Sequence, residues 1–205
     1  MEKARLELKR QIFHIVIGIL MLLFMVFFQR RIVLITLLSI LIVGILFSLT
    51  SIRKRVPIVS FLLDKMGRCA DEKFPGKGFL FFIAGCLLTF KIFSHDIALA
   101  SIAVLTFGDS VSTLVGSFKN GLGKKYRAEP FNKYKAVYGT IIGIIVSFPI
   151  ACIFISPLYA AAAAAAGMLA EAISLKLGEQ EADDNLIIPL AAGTACYILR
   201  MFLKA

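Results

Sequence analysis

The chain has 205 residues, 59% of them hydrophobic, with a mean hydropathy of +0.87 and no Trp. That balance excludes an ordinary soluble domain and suits a single integral membrane domain over residues 1–205. The formal charge of +10 does not point to nucleic acid, because basic clusters beside membrane spans follow topology and anionic headgroups.

Seven apolar stretches of near-membrane length predict an all-α, polytopic protein, with spans at about 12–28, 32–50, 78–93, 97–116, 138–156, 158–175 and 186–203. The charged start resembles a secretory signal, but its apolar run is long and no small-x-small cleavage site follows, so it reads as a retained first helix. With seven spans, only Arg30, Arg31, Lys91, Arg200 and Lys204 of the 23 basic residues fall on one side, and the other 18 fall with the N-terminus. That asymmetry predicts a cytoplasmic N-terminus. Cys69, Cys86, Cys152 and Cys196 stand singly, which argues against a disulfide framework or structural zinc.

In chain order, Arg10 and His14 share a helical face at a spacing of four at the mouth of span 1. Between spans 2 and 3, Val56, Val59, Leu62, Leu63 and Met66 follow Pro57 at helical spacing among basic residues, which predicts a helix lying in the interface. Glu72 then precedes a Pro-Gly-Lys-Gly turn, whose chemistry alone explains Pro75, Gly76 and Gly78. Span 4 carries Gly108, Ser112 and Gly116 at four-residue intervals, a small-residue face for close helix approach, with Asp109 beside it. An acid inside a membrane helix costs about 2.5–3.5 kcal/mol, so Asp109 needs either a partner helix or a task. Its position, about seven residues or roughly 10 Å from the end of the span, suits the floor of a cavity better than a midplane transport site.

The basic loop over residues 117–137 places Lys119, Lys124, Lys125, Arg127, Lys133 and Lys135 around Gly121 and Gly123. Ammonium groups and glycine-freed N–H groups together form a cradle for phosphate oxygens, although topogenic charge explains the same residues. The spacing is not that of a Walker A loop. Span 5 opens with Gly139 and Thr140, and Gly143 follows one turn on. Span 6 holds seven consecutive alanines, Ala160 to Ala166, which make a thin helix, and Glu171 lies near its cytoplasmic end. Asp183, Asp184 and Asn185 stand at the entrance to span 7, where a cap needs one such residue and not three. On this topology Arg10, His14, Asp109, Lys135, Gly139, Glu171, Asp184 and Asn185 converge at the cytoplasmic face. Acids suited to Mg2+ there meet bases suited to a polyphosphate, with hydrocarbon alongside for a lipid.

These residues resemble the CTP-dependent lipid kinases, a family that includes dolichol kinase, phytol kinase and the yeast-type diacylglycerol kinase. The matching elements run in order over nearly the whole chain: Arg10 with His14, Gly108-Asp109-Ser110 with Gly116, Lys135 with Gly139-Thr140, and Glu171 with Asp184-Asn185-Leu186 and Pro189. The family is also similar to phosphatidate cytidylyltransferase, whose long C-terminal signature is missing here. Ala136 stands where a hydroxyl residue is usual, and Tyr138 where an acid is common. The resemblance implies transfer of the CTP γ-phosphoryl group to a membrane lipid alcohol, either a polyprenol, phytol-type alcohol or diacylglycerol. It implies Asp109, Asp184 and Glu171 as catalytic residues, with Asp109 and Asp184 on Mg2+. Gly108, Ser110, Gly116, Lys124, Lys135, Gly139, Thr140, Asn185, Arg10 and His14 would bind the nucleotide. The alternatives are a cytidylyltransferase-type CDP-lipid synthase and, from another class, a small transporter; the transporter would favour midplane polar groups and internal repeats, which the sequence does not display.

Overall fold

The computed structural model describes residues 2–53, 76–121, 137–173, 176–177, 180–181 and 183–204. Its elements are α1 (Glu2–Phe27), α2 (Arg30–Arg53), α3 (Lys77–Ile92), α4 (His95–Ala103), a π-helical segment (Val104–Asp109), α5 (Ser110–Gly121), α6 (Val137–Ala151), α7 (Pro157–Ala172) and α8 (Asp184–Lys204). A two-residue antiparallel ladder, β1 (Lys176–Leu177) with β2 (Gln180–Glu181), lies between α7 and α8. The starts follow local chemistry. Ser156 stands extended before Pro157 at the first turn of α7, where the missing N–H is no loss. Ser94 stands extended before α4, and its carbonyl accepts from Ala98 N at 2.9 Å.

All seven predicted apolar segments lie on helices, but they do not all reach membrane length. Among the described residues four helical stretches are long and apolar enough to cross a bilayer: Leu6–Phe27, Arg30–Thr50, His95–Gly116 and Asp184–Leu203. At 16, 15 and 16 residues, α3, α6 and α7 rise only about 22–24 Å, less than the ~30 Å hydrocarbon core. The interfacial helix predicted after Pro57, Glu72, Cys69 and the loop basics Lys124, Lys125, Arg127, Lys133 and Lys135 lie outside the described residues.

The centre of the bundle is the continuous rod α4–π–α5, of whose span 72% is buried, against 28% for α1, 17% for α2 and 28% for α8. Around it α1 packs on α5, α6 on α5 and the π segment, α7 on α6 and α8, and α3 on α2 and α8. Small residues set these distances. A Cβ on Gly143 would stand 3.1 Å from the Gly108 carbonyl and 2.5 Å from Met168 Cε, so α6 meets the central rod backbone to backbone with Met168 of α7 filling the corner. The alanine run buries Ala160, Ala163 and Ala164 completely, so α7 is thin on that face. Gly116 departs from the predicted stripe, for no described atom lies within 4 Å of where its Cβ would be. The approach is made instead by Gly108 and Ser112, against Gly143 and Gly139.

Pro149 falls within α6, and Pro189 within α8. Proline has no N–H to give the carbonyl four residues earlier, so Pro189 releases the carbonyl of Asn185 from the helical ladder. That oxygen faces α3, and a Cβ on Gly85 would come within 2.2 Å of it. One proline and one glycine thereby join the start of α8 to the middle of α3.

The end of the bundle holding the α1–α2 and α3–α4 connections is pinned by two arginines. Arg30 Nη2 donates to the carbonyls of Lys91 (3.1 Å) and Phe93 (3.0 Å), the last acceptors of α3, and its guanidinium lies over the Phe90 ring. Arg200 of α8 pairs with Asp96 of α4, donates to Ser94 Oγ at 3.0 Å, and stands over Tyr159. Four of the five basic residues that the seven-span reading places on the minority side, Arg30, Arg31, Lys91 and Arg200, sit at this end of the molecule.

Because the Asn185 carbonyl is backbone and cannot swing aside, Gly85→Ala must separate α3 from α8. The substitution is expected to destabilise the protein by about 1–3 kcal/mol or more, an overpacking effect, read as an earlier thermal loss of the monodisperse peak in detergent.

Candidate functional site

At the opposite end, five helices and the π segment bring the sequence-predicted polar residues together. His14 of α1 is the hub. Its ring meets Phe82 of α3 edge to face at 5.3 Å, and it lies within electrostatic reach of Asp109 at the end of the π segment, Asp183 before α8, and Arg10 one turn back. Arg10 itself is tied to Glu7 at 2.7 Å, and Gln11 Nε2 donates to the same carboxylate at 2.8 Å.

Asp109 owes its placement to the π segment. One wider turn inserts a residue into the helix and re-aims the side chains that follow, and such bulges are frequent at functional sites. Here it ends on Gly108 and Asp109, and the local carbonyls are kept satisfied by Ser110, whose buried hydroxyl donates to Thr106 O at 2.7 Å. That bond directs the Ser110 side chain back along its own helix.

One turn on, Ser112 Oγ donates to Glu171 Oε1 at 3.1 Å, linking α5 to the end of α7. Glu171 is fully buried, and Ser112 is 5% exposed. Gly139 stands directly over this pair, with its Cβ position 3.1 Å from Ser112 Oγ, and the neighbouring Thr140 is also buried. The third group is the α8 entrance, where the cap falls to Asp183. Its carbonyl accepts from Leu186 N at 3.0 Å, and its Oδ1 accepts from Asn185 N at 3.1 Å and Asn185 Nδ2 at 2.9 Å. Asp184 is thereby the first residue of α8, not its cap. The Asn185 amide also reaches the Gly78 carbonyl at 3.4 Å, while its Oδ1 is buried with no hydrogen-bond partner.

The structure therefore joins Arg10, His14, Asp109 and Asp183 in one neighbourhood, Ser112, Glu171 and Gly139 in a second, and Asn185 with α3 in a third. Gly116 stands apart from these contacts, and Lys124 and Lys135 lie outside the described residues. Among the described residues no three His, Cys, Asp or Glu side chains form a ready metal cage. Sequence reasoning missed Phe82, Gly85, Gln11 and the π segment. The only sequence trace of the last is a glycine before the acid.

Burial raises the Asp183 carboxyl above its ordinary value, and the bonds from Asn185 only partly offset this. The folded state then holds the proton more tightly than the unfolded chain, so this residue contributes a loss of stability as pH climbs upward from the unfolded carboxylate value near 3.9. Asp183→Asn keeps the acceptor oxygen and removes the charge. Its melting temperature is expected to fall less than that of the wild type as pH rises above about 4. Ser112→Ala removes a buried donor from Glu171 and is expected to cost about 1–3 kcal/mol in the same thermal assay.

No protein-family model matches the chain, and no solved structure matches it. Over 185 residues, 89% of this chain and 88% of the other, it is 29% identical to the uncharacterized protein MJ1137 of Methanocaldococcus jannaschii. No activity is assigned to that relative by its name.

Proposed function

We propose that the protein is a multi-pass membrane enzyme that transfers the γ-phosphoryl group of CTP to the hydroxyl of a membrane lipid alcohol. The reading has all seven apolar helices embedded, the N-terminus cytoplasmic, and the polar end of the bundle at the cytoplasmic surface, where nucleotides occur. The observation that carries it is the arrangement around His14: Asp109 from the central rod and Asp183 from the α8 entrance, on separate elements, both act electrostatically on one imidazole. Such a meeting of acids at one end of an apolar bundle is expensive unless it does work. It also agrees with the family resemblance in residues that sequence spacing alone leaves far apart.

In this reading the acceptor oxygen attacks the γ-phosphorus, the bond to the β–γ bridging oxygen breaks, CDP leaves, and the hydroxyl proton passes to water. Phosphoryl transfer asks the protein chiefly for position and charge neutralisation. Mg2+, when bound, would neutralise phosphate charge; it takes one or two carboxylates and otherwise phosphate oxygens and water, a demand that Asp109 and Asp184 suit without a complete protein cage. Glu171, held by Ser112, fixes the junction of α5, α6 and α7 beneath them. Lys124 and Lys135 would meet the phosphates.

The deciding measurement uses membranes holding the protein, Mg2+, a panel of isoprenoid alcohols, diacylglycerol and phosphatidic acid, and CTP labelled at either the γ or the α phosphate. The γ label is expected to enter an alcohol. Entry of the α label into phosphatidic acid would make the protein a cytidylyltransferase, and entry of neither would remove both enzymatic readings. Asp109→Asn is expected to lower γ transfer by about a hundredfold or more with the protein still folded and inserted, as loss of an electrostatic catalytic group does.

A further inference from the structure

A row of buried polar atoms without partners runs along the inner face of α1. Gln11 is 3% exposed and its Oε1 has no hydrogen-bond partner; His14 Nε2, three residues on, has none either. Gly18 continues the same face at the next turn and packs on fully buried Thr106, whose hydroxyl is also without a partner. Opposite this face stand Thr106 and Asp109 of the π segment. Each orphaned buried polar atom costs about 1–3 kcal/mol; the Thr106 hydroxyl is sealed against Gly18, but Gln11 Oε1 and His14 Nε2, one turn apart, call for a ligand that supplies the missing bonds.

The surroundings restrict what that ligand is. Among the described residues, an anion at His14 would face the carboxylates of Asp109 and Asp183, against Arg10, which is already paired with Glu7, and Lys77, whose charge acts on Asp183. A neutral hydroxyl meets no such repulsion, because it donates to an acceptor and accepts from a donor. The other side of α1 exposes Ile12, Phe13 and Val16, so an apolar surface runs beside the polar seam. α1 packs on α5, whereas α3 packs on α2 and α8, and the described link between α1 and α3 here is the edge-to-face pair His14–Phe82.

We infer that the seam lined by Gln11 and His14 holds the hydroxyl end of an uncharged lipid alcohol, which enters from the hydrocarbon beside the His14–Phe82 pair. For the identity of the acceptor this rests on the kinase reading, and it deepens that reading in two ways. It moves His14 from the nucleotide to the acceptor as a positioning residue, bonding through Nε2, and it disfavours an acceptor that already bears a phosphate.

The test is a pair of polar substitutions in the full chain in membranes. In His14→Gln the side-chain amide reaches the place of Nε2; in His14→Asn it reaches only that of Nδ1. Both are assayed for γ transfer, and also for photolabelling by a long-chain primary alcohol with a diazirine near its hydroxyl, with the phosphate ester of the same probe as control. The Gln variant is expected to stay near wild type. The Asn variant is expected to raise KM for the alcohol about five- to tenfold, the effect of one lost hydrogen bond, with KM for CTP unchanged. Photolabelling by the alcohol should fall in parallel, on peptides of α1 and α3, and the phosphate ester should label poorly throughout. Equal labelling by alcohol and ester, or a change in KM for CTP alone, overturns the inference and leaves the kinase reading standing. Labelling by the alcohol that depends on Nε2, without γ transfer in any variant, supports the site and overturns the kinase reading instead.

Discussion

Helices surrounded by hydrocarbon gain nothing from hiding apolar side chains, since lipid tails are as apolar as leucine; close packing must hold them together. The contact of Gly143 with the Gly108 carbonyl meets that constraint at the most buried rod of the bundle. A Cβ on Gly143 would press on the Gly108 carbonyl, and one on Gly108 would meet Met168 Sδ at 2.5 Å, so Met168 of α7 fills the angle between α6 and the rod. The π segment ends at this contact, so the wide turn that aims Asp109 is clamped where it would otherwise relax. Packing and site geometry are therefore set by the same few atoms.

The two ends of the molecule treat polarity in opposite ways. At the α1–α2 end, Arg30 satisfies the final carbonyls of α3, while Arg200, Asp96 and Ser94 satisfy one another. Those groups close helix ends and tie α4 to α8. At the other end Gln11 Oε1, His14 Nε2 and Asn185 Oδ1 are buried without partners, beside acids from separate helices. A bundle assembled for stability alone would close both ends in the first manner. Thr89 Oγ1 near the end of α3 is also without a partner, but among the described residues it is at the other end that such atoms gather beside acids from separate elements, the physical mark of a place where something else binds.

Much of this was legible from hydropathy, because an apolar run is a direct statement about solvent. Each of the seven segments contains a helix. The crossing length of the fifth segment was less legible: the turns near residues 152–156 end α6 at Ala151 in a way a hydropathy window averages away. The convergence of His14, Asp109 and the α8 entrance followed from alternating topology, which fixes the end of the bundle at which a residue sits. It does not fix which atoms touch. Gly108 and Gly116 have the same spacing from Ser112, and among the described residues only Gly108 makes a close approach, because α6 crosses the rod at that level. The π segment was hidden because its register change comes from hydrogen bonding, for which residue type is a weak guide.

The pattern Asp183-Asp184-Asn185, with Pro189 following, shows how local chemistry and long-range packing are joined. Asp183 caps the helix and frees Asp184 from that duty. Pro189 withholds one N–H, so the Asn185 carbonyl turns outward, and Gly85 lets α3 close on it. Asn185 is thereby held by its own N–H and side-chain amide on Asp183 and by its carbonyl against α3, and Oδ1 is the one polar atom left over. A residue fixed at three points, its side chain among them through Nδ2, with a single acceptor to spare, has lost much of its conformational entropy before any ligand arrives. That is the condition under which a neutral amide holds a donor group firmly, and it explains why an asparagine stands here and not a third acid, whose charge beside Asp183 and Asp184 would undo the same burial.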